Sequence, residues 1–114
     1  MNVAHDTTYE IQAGICRTLS NPIRLEIIHL LTNQPLCVGE IVRLTDQSES
    51  VISRHLGILR SSNLVKGERH GQEVIYQITN PKIITICSLM REVLVEQASY
   101  QSQLAQGLSN EYSE

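Results

Sequence analysis

Three cysteines, Cys16, Cys37 and Cys87, and four histidines carry most of the reactive chemistry available to this 114-residue chain. Thiolates hold soft metal ions and metalloids, and three sulfurs is the number a trigonal arsenite or antimonite site takes. The same groups can be bridged by oxidants or reactive sulfur species. An odd number of cysteines, with no CxxC and no HxxxH pair, argues against both a disulfide framework and a closed zinc site. Cys37 lies near the start of a predicted helix, a setting that activates a thiol. A lone cysteine on an apolar helix face, as Cys16 and Cys87 are, can equally be a small core residue. There is no Ser-His-Asp arrangement and no glycine-rich phosphate loop, so the chain is not expected to be an enzyme and requires no cofactor.

Charge gives a second lead. The net charge is -3, from nine basic and twelve acidic residues. Between Val51 and Tyr76, however, Arg54, Arg60, Lys66 and Arg69 outnumber Glu68 and Glu73, and His55 and His70 fall in the same window. A polyanion would be drawn to that window alone. With no Phe or Trp and only four Tyr, there is little to stack on unpaired bases, so duplex is favoured over single strands. No long apolar run and no secretory pattern in MNVAHDTTYE is present, so no membrane partner is expected and a cytoplasmic location is.

The elements that position these groups follow from periodicity. Residues 8–19 place Ile11, Ile15, Cys16 and Leu19 at helical spacing. Asn21-Pro22 starts a second helix that buries Ile23, Leu25, Ile27, Ile28, Leu30 and Leu31. A short helix over residues 37–44 and a break at Thr45-Asp46-Gln47 lead to SESVISRHLGILRSS, with Ser48 as N-cap and Val51, Ile52, Leu56 and Leu59 as the buried stripe. Its other face presents Ser50, Ser53, Arg54, Gly57 and Arg60. Two alternating segments around His70-Gly71-Gln72 predict a hairpin. After Asn80-Pro81 comes a helix apolar around most of its circumference, which one domain cannot cover and a second copy of the chain could. The predicted fold is mainly α with a small β-hairpin: a winged helix-turn-helix in a single domain, 1–114, with terminal extensions at 1–7 and about 100–114.

LSNPIRLEIIHLL, PLCVGEIVRL and SESVISRHLGILRSSNLV, in this order and at close spacing, resemble the ArsR/SmtB family of metal- and thiol-responsive repressors. The second of these is similar to the family's metal box. The resemblance spans about residues 19–97. It implies a homodimer joined through the first and last helices that binds an imperfect palindrome in double-stranded DNA and leaves it when an inducer binds. On that reading Ser48, Ser50, Ser53 and Arg54 approach bases or the adjacent phosphates. His55, on the same helix, is better suited to pack at its edge or touch a phosphate. Arg60, Lys66, Arg69 and His70 sit near the sugar-phosphate backbone, the last two on the wing.

The resemblance also bears on what is sensed. At the family's last-helix zinc site this chain has Asn80, Lys82, Val93 and Glu96, which lack three of four ligands. In the metal box Cys37 and Glu40 match, and Gly39 replaces the second cysteine. Where the family's persulfide sensors carry thiols, this chain has His29 and Val95. The expected sensing residues are therefore Cys37 with Cys16 and Cys87, and Glu40 as an alternative metal ligand. The expected inducer is arsenite, antimonite, another soft metal ion or a reactive sulfur species. A competing reading is a winged-helix interaction or dimerisation module without specific DNA binding, which the net acidic charge favours.

Overall fold

The computed structural model describes residues 2–112, with side chains placed over 7–107. Five helices and three short strands follow in the order α1 (Asn2–Thr18), α2 (Pro22–Leu31), β1 (Leu36–Cys37), α3 (Val38–Thr45), α4 (Glu49–Ser61), β2 (Val65–His70), β3 (Glu73–Ile78) and α5 (Pro81–Tyr112). The chain divides into two compact units, Met1–Ile84 and Thr85–Glu114. Residues 2–7 and 100–112, expected as extensions, are helical.

In the first unit, local signals set the helix starts. Asn21 is extended, and its Oδ1 accepts from the backbone N–H of Ile23 at 2.9 Å and of Arg24 at 3.1 Å, while Pro22 begins α2 without losing a hydrogen bond. Ile27, Ile28 and Leu31 are buried, whereas Ile23, Leu25 and Leu30 are half-buried, so the inner stripe of α2 is narrower than expected. Ile27, Ile28 and Leu31 pack in a core with Leu19, Leu36, Ile41, Ile52, Leu56, Leu59, Leu64, Val65 and Ile83. Burial of such aliphatic side chains contributes about 1.5–3 kcal/mol each relative to exposure, which is what fixes the facing of α2 and α4.

The turn between α3 and α4 is tight. Asp46 ends α3 in the left-handed region at φ 58°, a conformation its short polar side chain tolerates. Two residues later Ser48 Oγ accepts from Val51 N–H at 3.2 Å and opens α4. At the far end of α4, Leu64 N–H donates to Leu59 C=O at 2.9 Å and Asn63 N–H to Arg60 C=O at 3.0 Å, with Asn63 at φ 60°. This is a Schellman termination, with Leu59 and Leu64 both buried across it.

The strands form one antiparallel sheet in the order β1-β3-β2. The hairpin has the register His70↔Glu73 to Val65↔Ile78, closed by Gly71-Gln72. Gly71 has φ 67° and Gln72 a negative φ, the pattern of a type II′ turn. Strand β1 was not expected. Leu36 and Cys37 pair with Tyr76 and Ile75, so the short helix begins at Val38 and Cys37 is its N-cap.

The second unit is helical from Thr85 to Tyr112. Ile86, Leu89, Met90, Val93, Leu94, Val95, Tyr100 and Leu104 are all exposed along it. Among the described residues no helix is long and apolar enough to cross a membrane.

Candidate nucleic-acid interface

The inner face of α4 is held by Ile52, Leu56 and Leu59, each 0% exposed. That anchoring turns Ser50, Ser53, Arg54 and Arg60 outward, and all four are exposed. They recur at the three- and four-residue spacing that makes one helix face. Gly57 lies among them, and a Cβ built there would meet nothing within 4 Å. Ser48 spends its acceptor on capping the helix, and its Oγ lies 3.3 Å from Ser50 Oγ. Two hydroxyls therefore gather at the N-terminus of α4, beside the Glu49 carboxylate of the same turn.

His55 is not on this face. It is 4% exposed, and its Nδ1 lies 3.1 Å from Arg24 Nη1. Of the two roles expected for it, packing or a phosphate contact, the geometry matches packing. Position 55 falls in the same stripe as Ile52, Leu56 and Leu59, and the ring's polarity is satisfied by a partner on α2 instead of by solvent. Burial, with Arg24 and Arg54 nearby, pushes the His55 imidazole below its ordinary value, so it is neutral at neutral pH.

Arg24 was not singled out in the sequence. Besides His55, it donates through Nε to Thr18 C=O at 2.6 Å and through Nη2 to Arg17 C=O at 3.5 Å. The signal was available in position only: a cation in the first turn after the Asn-Pro start lies beside the last carbonyls of α1.

On the wing, side chains alternate between faces. Arg69 shares a face with Val65 and Gly67. Lys66, Glu68 and His70 take the other, where His70 Nε2 stands 3.9 Å from Glu68 Oε2 and pairs across the hairpin with Glu73. Arg69 and His70 are both exposed, as is Lys66. Glu68 and Glu73 offset Lys66 on the face they share with His70, so the face of Arg69 carries the wing's net attraction for an anion.

The thiols are all free. Cys16 is exposed on α1, Cys37 half-buried at the start of α3 and Cys87 half-buried on α5. Glu40 Oε1 accepts from Cys37 N–H at 3.1 Å and closes a capping box. That bond, a further one from the Cys37 side chain and the charge of Arg43 hold the Glu40 carboxyl below its ordinary value. Burial raises the Cys87 thiol above its ordinary value, with Arg91 partly offsetting this. Among the described residues, no three His, Cys, Asp or Glu side chains converge within one chain as a metal site would require.

A buried-stripe helix after a tight turn, followed by a two-stranded wing, defines a winged helix-turn-helix DNA-binding protein. Residues 21–66 match the family described as bacterial regulatory protein, arsR family. An HTH-type transcriptional regulator of Mycobacterium tuberculosis, Rv0081, is 34% identical over 87 residues, covering 75% of this chain and 76% of its own. Its crystal structure superposes with a TM-score of 0.77 over 83% of this chain and 96% of that one, at 32% identity. The repressor PagR of Bacillus anthracis is 32% identical over 74% of this chain and 85% of its own. The homodimeric winged helix-turn-helix DNA-binding domain of Mb0332 from Mycobacterium bovis superposes with a TM-score of 0.77 at 25% identity, over 84% and 89% of the two chains. The chain belongs to the arsR family. It is a DNA-binding transcriptional regulator and not an enzyme.

Proposed function

We propose that this regulator is a homodimeric repressor in the cytoplasm that binds an imperfect palindrome and is released by a thiophilic or thiol-reactive inducer. The observation that carries the DNA reading is the outward face of α4, where Ser50, Ser53, Arg54 and Arg60 stand exposed opposite a fully buried stripe. In this reading Arg54 and the serines meet base edges or the adjacent phosphates in the major groove. Arg60, Lys66 and Arg69 meet the backbone and set the salt dependence. Two copies place two recognition helices on half-sites about 34–36 Å apart. The exposed apolar residues of α1, Ile11 and Ile15, and those of α5 support that pairing, as does the homodimeric state of the Mb0332 domain.

Cys37 is the thiol best supported as the sensing group, since it ends β1 and caps α3 while remaining partly exposed. An adduct on its sulfur would act on the helix-turn-helix directly. Cys16 and Cys87 are the further donors of this reading, with Glu40 as an oxygen ligand if the inducer is a metal ion. Arsenite, antimonite or another soft ion fits a sulfur set, and a reactive sulfur species fits a two-thiol one.

The test is fluorescence anisotropy of the reduced protein on a duplex from immediately upstream of its own gene, titrated with arsenite and with a polysulfide donor. Arg54→Glu should weaken binding by about tenfold or more, the cost of losing one good base or phosphate contact. Unchanged affinity would instead favour an interaction module. Cys37→Ser should bind the duplex normally and no longer release it with the effective inducer. Release that survives this substitution removes Cys37 from the sensing role.

A further inference from the structure

A single guanidinium joins three helices of the first unit. Arg24, in the first turn of α2, donates to Thr18 C=O at 2.6 Å and Arg17 C=O at 3.5 Å at the end of α1. Its Nη1 reaches His55 Nδ1 at 3.1 Å on the inner side of α4. A guanidinium only donates, so Nδ1 is the acceptor and the ring proton sits on Nε2. The ring is 4% exposed. Among the described residues no buried side-chain nitrogen or oxygen lacks a partner, so the arrangement is complete as it stands.

Protonating His55 would turn its acceptor into a second donor facing a cation. The charged groups that act on the ring are Arg24 from α2 and Arg54 from its own helix, both positive. Arg17 at the end of α1 offers the site only its backbone carbonyl, and its own charge is not among those that shift the ring. The titratable groups of the other elements packed on α4, Glu40 and Arg43 of α3 and Lys66, Glu68, Arg69 and His70 of β2, are not among those that shift it. Among the described residues no carboxylate, Glu26 of α2 and Glu49 of α4 included, is among the groups that act on the ring.

We infer that Arg24 and His55 are positioning residues for DNA reading: the neutral imidazole latches α4 to α1 and α2, and its protonation releases the latch and weakens operator binding. This rests on α4 being the helix that reads DNA. The sign distinguishes it from ordinary electrostatics. Protonation of exposed histidines such as His70 adds positive charge and tightens DNA binding in acid. Because the His55 imidazole is held below its ordinary value, its stabilising contribution is complete above about pH 6.5 and is lost as pH falls through the lowered value.

The decisive comparison is between the wild type and His55→Asn, whose Oδ1 keeps an acceptor near the Nδ1 position but takes no proton. Between about pH 7.5 and about pH 5.5 the wild-type operator affinity should fall, by less than about tenfold because an imidazole held below its ordinary value is incompletely protonated at the acid end. The His55→Asn protein should hold its affinity or gain. Equal weakening in both proteins, or tightening of the wild type in acid, overturns the inference. A second measurement needs no variant: long-range nitrogen-15 NMR of the full wild-type chain should show His55 as the Nε2–H tautomer. It should titrate below the ordinary imidazole value, with α4 amides exchanging faster as it does so. An Nδ1–H tautomer, titration at or above the ordinary imidazole value, or α4 exchange indifferent to it, overturns the latch. Failure of the wild type to bind any duplex near neutral pH would count against the DNA-reading role alone, since the NMR result decides the latch without DNA.

Discussion

Gly67 shows how one missing side chain shapes the wing. A Cβ there would lie 2.8 Å from Val74 Cγ1 and 3.1 Å from Tyr76 Cε1, because Tyr76 is its cross-strand partner. Gly67→Ala should therefore destabilise the fold by about 1–3 kcal/mol, the usual cost of overpacking, seen as a lower urea midpoint. This was not legible in the sequence, where Gly67 simply interrupts an alternating segment; the requirement comes from a ring nine residues further on, across the hairpin. The exposure of Ser50, Ser53, Arg54 and Arg60 was legible, since helical spacing alone puts them opposite Ile52, Leu56 and Leu59. His55 was legible in part: its position favoured packing, while the partner that satisfies the buried ring, Arg24, comes from another helix and could not be read.

The elements divide along the same line. Starts governed by neighbouring residues, such as Asn21-Pro22 for α2 and Ser48 for α4, could be read directly because the cap and the helix it serves are contiguous. Strand β1 could not, because two residues have no periodicity and their partners lie on β3. The end of α4 is intermediate. Asn63 is in the left-handed region at φ 60°, and its carbonyl accepts from Thr79 Oγ1 at 2.7 Å. Asn63→Ala should cost about 1–2 kcal/mol, because an ordinary L-residue resists that conformation, whereas Asn63→Gly should be nearly neutral. Paired urea melts of the two variants check this. Equal losses would mean that the Asn side chain, and not the backbone angle, holds the turn.

For the whole molecule, the exposed apolar residues on α5 are the largest feature that one chain leaves uncovered. Val93 is 50% exposed and Leu94 64%. A carboxylate at position 93 would face water in a single chain and be desolvated in a dimer, so Val93→Glu should shift the protein to monomer in sedimentation and weaken operator binding, with the first unit still folded. A dimer that survives the change would place the interface elsewhere. Within the first unit, the two rungs of β1 have a mechanical consequence. The wing is riveted to the chain immediately ahead of α3 through Leu36↔Tyr76 and Cys37↔Ile75. It is therefore the long arm of a lever whose fulcrum is the Cys37 backbone: a tilt imposed at the tip by a DNA groove is delivered to the first turn of α3, and a change in that turn swings the tip.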